Sequence, residues 1–366
     1  MSMIYVLAGL SALCLAWLLT RLVRQLAFKW GVVDLPNSQR ELPLARKIHS
    51  QTTPLLGGVA IFLTVVTILL LLKEYLVVGD LAYHHWLGVL VGAIIVVIGG
   101  VLDDKYNLAP KYQVIFPILA CLAVVAGGVG IAKVSNPFGG LLFLNEIQFP
   151  VLAWGGQMHY FVLLADVFTI LWLMGMMYTT KLLDGLDGLV AGVAGIGSLI
   201  IFLFTMTTRY FQPDVGLAAL IVAAACAGYL ILAWHPAKIF LGESGSLFLG
   251  FVLGVLSIIS GGKIAIALLI MGIPILDVLW TIIRRLRQGH NPFAHADRQH
   301  LHFRLMDAGL GTRKTVLIYY ALATIFGLSA LFLQSRGKLL ALIILGLIML
   351  ALLASFAWLD KKAKTT

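Results

Sequence analysis

The sequence predicts an all-α fold: a polytopic membrane bundle of about eleven transmembrane helices, N-terminus outside and C-terminus cytoplasmic. Three observations predict it. Of 366 residues, 61% are hydrophobic and only 11% charged, whereas a soluble domain is about half apolar and a quarter charged. Apolar runs recur along the whole chain, many close to the ~20 residues that cross a bilayer. Basic residues are divided unevenly between the two sets of connecting loops.

The apolar runs fall at about 4–22, 55–73, 85–102, 113–132, 158–180, 188–208, 214–234, 245–260, 264–283, 316–335 and 338–358. The first, in "MSMIYVLAGLSALCLAWLLTRLVR", has no basic region before it and no small-residue cleavage site, so it reads as a membrane helix and not a cleaved signal. The runs 245–260 and 264–283 are divided only by "SGGK". The connection "KVSNPFGGLLFLNEIQFPVLAWGGQ", 133–157, is apolar with Asn, Pro and Gly turn signals and reads as a short surface hairpin. Cys14, Cys121 and Cys226 each lie in an apolar run, as small core residues and not as disulfides or zinc ligands.

With the N-terminus outside, the inner segments are 23–54, 103–112, 181–187, 235–244, 284–315 and the tail from 359. They and their margins hold 20 of the 26 Lys and Arg residues, as cytoplasmic loops should. That accounts for the net charge of +10 without nucleic acid, and leaves some cations free to face phosphates. The whole chain, 1–366, reads as one transmembrane domain with every polar motif on one membrane face.

Five motifs lie there. "GVLDDKYNLAP" places Asp103 and Asp104 at a helix end. It is either an ordinary loop start or a pair of hard oxygen donors suited to Mg²⁺ and its phosphate ligands, and one carboxylate could serve as a base. "KLLDGLDGLVAG" holds Lys181, Asp184 and Asp187. On a helix, acids three apart share a face. "DG" is also a turn signal, but a turn does not account for two acids and a lysine between two spans.

"HPAKIFLGESGSLFLG" opens a helix with Gly242, Glu243, Gly245 and Ser246. Glycine-rich helix starts bind anions through free N–H groups, although an acid in the first turn is also an ordinary cap. "RRLRQGHNPFAHADRQHLHFRL" begins as an inner-face arginine anchor. It ends in Arg298, His300 and His302, which suit phosphate binding or a proton shuttle; no Cys or Glu stands at zinc spacing. In the first inner loop Lys47 and His49 precede Pro54, Gly57 and Gly58, either as topology signals or as an anion contact. Asp277 lies within a helix and should face the bundle interior.

In this order the motifs resemble the polyprenyl-phosphate N-acetylhexosamine-1-phosphate transferase family (glycosyltransferase family 4). Within it the sequence is most similar to bacterial undecaprenyl-phosphate N-acetylglucosaminyl-1-phosphate transferases, from the first loop to about residue 310. The resemblance implies a reaction in which polyprenyl phosphate attacks the β-phosphate of a UDP-N-acetylhexosamine and UMP leaves. It implies Mg²⁺, with Mn²⁺ as substitute, a multi-pass bacterial plasma-membrane protein with a cytoplasmic-face site, and room for a homodimer.

By position, Asp103 resembles the acid that deprotonates the lipid phosphate, supported by Asp104. Glu243 stands where the family has its metal-binding Asp, with Asp104 as a second candidate ligand. Asp187 corresponds to a nucleotide-contacting segment, with Asp184 in the same cleft. Arg298, His300 and His302 correspond to a histidine-rich loop near the nucleotide sugar's phosphates.

The sequence departs from the family at four places. Lys181 replaces the usual Asn, Glu243 replaces Asp, Phe303 follows His302, and "SQRELPLA" is extra in the first loop. The first two fall on the expected metal shell: either the metal shifts toward Asp104 and Asp184, or Lys181 contacts phosphate directly, and the second is favoured. A muramoyl-pentapeptide-type transferase is the neighbouring reading. A transporter is the reading of another class, and would place its acids near the bilayer midplane in repeated halves.

Overall fold

The computed structural model describes residues 2–36, 51–136, 139–154, 157–207, 210–261, 264–289 and 299–363. Its helices are α1 (Ser2–Lys29), α2 (Gly57–Leu71), α3 (Tyr83–Tyr106), α4 (Pro110–Gln113), α5 (Ile115–Ala126), α6 (Leu163–Leu183), α7 (Leu189–Thr205), α8 (Pro213–Ala233), α9 (Gly242–Ile259), α10 (Ile264–Ile270), α11 (Gly272–Arg287), α12 (Leu301–Leu305), α13 (Gly311–Phe332) and α14 (Ser335–Ala363). A π-type turn, Met306–Leu310, joins α12 to α13.

Seven helical segments are long and apolar enough to cross a membrane: α1, α3, α6, α8, α9, the α12–α13 segment and α14. The pair α10–α11 would make an eighth, bent by 78°. Its break has a local cause. Pro274 brings no N–H to the third position of α11 and cannot bond back to Ile270. The ladder resumes with Ile275 N–H on Met271 O at 2.8 Å. The windows that contain α2, α4–α5 and α7 give shorter apolar helices. The chain is therefore a helical, multi-pass membrane protein.

Three two-stranded antiparallel ladders interrupt the helices: β1 (Val33–Asp34) with β2 (Thr53–Pro54), β3 (Lys133–Ser135) with β4 (Leu141–Phe143), and β5 (Gln148–Trp154) with β6 (Gln157–Val162). The expected surface hairpin is thus two hairpins. It also takes residues assigned to the next helix, which starts at Leu163 and not near 158. "QMHYFV" is rich in strand-favouring aromatic and branched residues, and it pairs along "QFPVLAW" from Gln157↔Trp154 to Val162↔Gln148.

The site is positioned by α9, the most enclosed span, with 89% of its apolar window buried. Small residues let its first turn approach two other helices closely. A Cβ on Gly58 of α2 would lie 2.0 Å from Gly245 Cα, and one on Gly100 of α3 would lie 2.2 Å from Ser244 Cα. Farther along, a Cβ on Gly250 would lie 2.2 Å from Thr180 Oγ1 of α6. The ends of α3, α6 and α9 therefore meet, and the acids of three motifs meet with them.

Candidate active site

The helix ends surround one cavity of about 1870 Å³, larger than the ~300–1,000 Å³ typical of a single small-molecule site. Asp103, Asp104, Lys181, Asp184, Asp187 and Glu243 line one part of it, and Leu171, Trp172, Leu268, Val278, Leu279 and Ile282 line another. These acids lie at or next to helix ends, unlike the midplane acids expected of a transporter.

Adjacent residues on a helix point about 100° apart, and the two aspartates of α3 have separate tasks. Asp103 turns toward the connection to α4. Its Oδ1 accepts the Leu108 N–H at 2.8 Å and the Gln113 Nε2 amide at 3.1 Å. Asp104 reaches the start of α9. It accepts Glu243 N–H at 2.8 Å, Ser244 N–H at 3.2 Å and the Ser244 hydroxyl at 3.0 Å. The opening amides of α9, for which anion binding was one of two readings, are taken by a carboxylate of the protein, which satisfies orphan donors and the helix dipole. Gly242 makes the approach feasible: its φ is +75°, and a Cβ there would lie 2.6 Å from Asp104 Oδ2.

Lys181, in the last turn of α6, reaches into the acids. Its Nζ donates to Gln113 Oε1 at 2.9 Å. It forms an ion pair with Glu243 Oε2 at 3.1 Å and lies 3.7 Å from Asp103 Oδ2.

Asp184 and Asp187 do not share a helical face. α6 ends at Leu183 and α7 begins at Leu189, with Gly188 at φ +77° before it, so "DGLDG" forms the turn. Asp187 Oδ2 contacts His235 Nδ1 at 2.6 Å and accepts Ala237 N–H at 3.1 Å. Asp184 opens onto the cavity but sits deep among protein atoms. That burial, then Glu243, Asp104 and Asp187 in turn, raises its pKa well above the usual carboxylate value.

The histidine motif divides. His300 lines the cavity and is 5% exposed. Its Nδ1 meets Asp277 Oδ2 at 2.9 Å, and the other Asp277 oxygen accepts Leu301 N–H at 2.9 Å. Asp277 is buried and faces the interior, as expected of an acid within a span. His302 is fully buried and stacks near His300 and Phe303. It is absent from the cavity lining and touches the site only from beneath Gly185, where a Cβ would lie 2.5 Å from its Nε2. Lys47, His49 and Arg298 lie outside the described residues.

Among the cavity-lining residues that escaped the sequence reading are Gln113, His235 and Arg285. Arg285 was taken for an anchor, yet it is 5% exposed. Asp277, Thr281 and Arg285 recur every four residues, and all three are buried. That helical stripe was the available signal.

The carboxylates are hard donors of the kind Mg²⁺ takes, but their arrangement does not fit the ion. Asp104 is occupied by α9, and Glu243 and Asp103 face a lysine ammonium. Among the described residues no three acidic, histidine or cysteine side chains are placed to hold a metal ion.

A membrane bundle whose acids and cations meet at helix ends, beside an apolar wall, defines a site for a charged reaction at a membrane face. The model for Glycosyl transferase family 4 matches residues 86–261. The sequence is 34% identical to a Bacillus subtilis protein named a probable undecaprenyl-phosphate N-acetylglucosaminyl 1-phosphate transferase, over 93% of this chain and 88% of the relative. It is 30% identical to the decaprenyl-phosphate N-acetylglucosaminephosphotransferase of Mycobacterium tuberculosis H37Rv, over 94% of this chain and 86% of the relative. It is 29% identical to the undecaprenyl-phosphate alpha-N-acetylglucosaminyl 1-phosphate transferase of Escherichia coli K12, over 84% and 78%. The chain belongs to glycosyl transferase family 4.

Proposed function

We propose that this chain transfers N-acetylhexosamine 1-phosphate, in the first instance GlcNAc 1-phosphate, from a UDP-sugar to a polyprenyl (undecaprenyl) phosphate. An oxygen of the lipid phosphate bonds to the β-phosphorus of the UDP-sugar. The bond from that phosphorus to the bridging oxygen breaks, and UMP leaves with the electron pair. The product would begin a cell-envelope glycan. The proposed setting is the bacterial plasma membrane, with about eleven crossings, the N-terminus outside, and the site on the cytoplasmic face where 20 of 26 basic residues fall.

One observation carries this reading. A single cavity joins an acid- and cation-lined part to an apolar part between α6, α10 and α11, as the meeting of a nucleotide sugar with a lipid phosphate requires. The relatives' names give the polyprenyl-phosphate acceptor and the N-acetylglucosamine phosphate group transferred.

Each group then has a stated task. The lipid phosphate is largely ionised near neutral pH, so the main demand on the protein is to bring two anions together. Arg285 and Lys181 supply positive charge in the cavity. Asp277 orients the His300 ring, leaving its Nε2 for a hydrogen bond to substrate. Asp103 is the proposed base toward the acceptor, and Asp187, with His235, faces the nucleotide. Mg²⁺, or Mn²⁺ in its place, is the proposed cofactor because the reaction brings two phosphate groups together; the acids as arranged here do not form its site.

Membranes containing the protein, given labelled UDP-GlcNAc, polyprenyl phosphate and Mg²⁺, should yield chloroform-soluble label and UMP. Absence of both would overturn the GlcNAc assignment. Product from UDP-GalNAc alone would replace the sugar and keep the reaction.

A further inference from the structure

The two hairpins between α5 and α6 contribute nothing to the cavity lining, yet they are tied to the bundle. Leu144 N–H donates to Ala132 O at 2.9 Å, and Leu163 N–H to Ile147 O at 3.0 Å. Ile131 N–H donates to Thr169 Oγ1 at 2.9 Å, and Val162 N–H to Asp166 Oδ2 at 2.7 Å. The hairpins stand at the start of α6, whose last turn carries Lys181 to the cavity. They therefore lie at the opposite end of that span from the acids.

What they expose is apolar. Successive residues of a strand face opposite ways, yet Leu141, Leu142 and Phe143 of β4 are all exposed. Phe149 and Tyr160 of the second hairpin are about half exposed, at 51% and 53%. An apolar surface of this kind marks a partner. The flanking helices show which. Leu164, Val167, Phe168 and Leu171 of α6 are exposed, and so are Ile115, Ile118, Leu119 and Leu122 of α5. Each set recurs at i, i+3, i+4 and i+7, one face of a helix. On α6, which is long and apolar enough to cross a membrane, such a face meets lipid.

The approach along α5 is short. The apolar helix Pro110–Ala126 rises about 25 Å at 1.5 Å per residue, less than the ~30 Å hydrocarbon layer. A chain leaving it is still at the lipid boundary. Depth then follows from the backbone. Each ladder has two strands and so has open edges, which the hydrocarbon layer does not tolerate. The headgroup level does, and aromatic rings also settle there.

We propose that the hairpins form an in-plane membrane anchor. They lie at headgroup level in the leaflet opposite the acids, with Leu141, Leu142, Phe143, Phe149 and Tyr160 among the lipids. The partner is the bilayer surface, and the anchor sets the height of α5 and α6 in the membrane.

The test uses the full-length protein in vesicles of phosphatidylethanolamine and phosphatidylglycerol, without substrate. A lipid-soluble diazirine, photolysed and read by peptide mass spectrometry, needs no variant. It should label Leu141–Phe143 and Tyr160 about as strongly as the α6 stripe from Leu164 to Leu171. Labelling several-fold below that stripe overturns the proposal. Strong modification of the same residues by hydroxyl radicals would then show them free in water, and weak modification would show them covered by a second copy or another protein.

Depth is read separately. Cys121 and Cys226 are buried and Cys14 is exposed, so a protein with Cys14→Ala and Leu142→Cys takes one maleimide fluorophore. Lipid nitroxides near the headgroup should quench it several-fold more than nitroxides at mid-chain. Stronger quenching from mid-chain, or quenching by aqueous iodide alone, overturns the placement.

Discussion

The end of α3 and the turn between α6 and α7 each deliver two aspartates to the cavity, and the fold treats them differently. At α3 both are committed. Asp103 accepts from Leu108 and Gln113, and Asp104 from the first amides of α9. At the turn only Asp187 is committed, to His235 and the Ala237 amide. The Asp184 carboxylate has no hydrogen-bond partner among the described residues, and its anion is opposed by burial and by three acidic neighbours. An acid that satisfies orphan amides fixes the helix start that it caps. An acid without such partners costs stability as an anion and is open to what enters the cavity.

The strongest way to break this comparison is at Gly242. Alanine there must adopt φ near +75° and place its Cβ 2.6 Å from Asp104 Oδ2. Backbone strain and loss of the Asp104 bonds together should cost about 3 kcal/mol. The expected result is a large fall in melting temperature by size-exclusion thermal stability, and a near-wild-type melt would mean that Asp104 does not hold α9. Asp104→Ala removes the cap without the strain and should cost about 2 kcal/mol, with Asp104→Asn near half of that because its carbonyl oxygen still accepts. Equal losses for Ala and Asn would remove the cap from the account.

These predictions depend on contacts that no local pattern announces. The helices were legible because bilayer thickness imposes a length and a polarity on each, and the acids because polar residues interrupt apolar runs. What the carboxyl oxygens touch was not legible. Asp104 meets Glu243 across 139 positions, and Asp187 meets His235 across 48. His235 was within a quoted motif, but nothing in "HPAK" indicates an aspartate partner. The "DG" pairs were readable as a turn from their own chemistry, and the turn was the correct local structure. The break in α10–α11 was signalled by Pro274, while the size of the bend is set by packing. Gln113, a lone glutamine beside a hydrophobic run, carried no signal at all.

Between the extremes lies Asp187. Asp187→Ala should cost about 1 kcal/mol, the net value of its hydrogen bonds, and should release His235. If the pair faces substrate, the larger consequence is functional, with KM for the UDP-sugar raised several-fold and kcat changed less. A stability loss with unchanged KM would make the pair a purely structural tie.

The smallest effect has the opposite sign. The Asp184 pKa is raised in the folded protein, so between the usual carboxylate value of about 4 and the raised value the folded state binds more protons than the unfolded state. Stability then falls as pH rises through that window. Below it Asp184 is protonated in both states and contributes no penalty. Asp184→Asn carries no titrating group, so it should match wild type at the acid end and melt above it as pH rises. Because Asp184 is open to the cavity, screening by water keeps the difference small, and paired melts across the pH range would resolve it. A variant that melts below wild type at neutral pH would show that the Asp184 anion has partners as favourable as those of Asp104, and the two regions would then differ only in geometry.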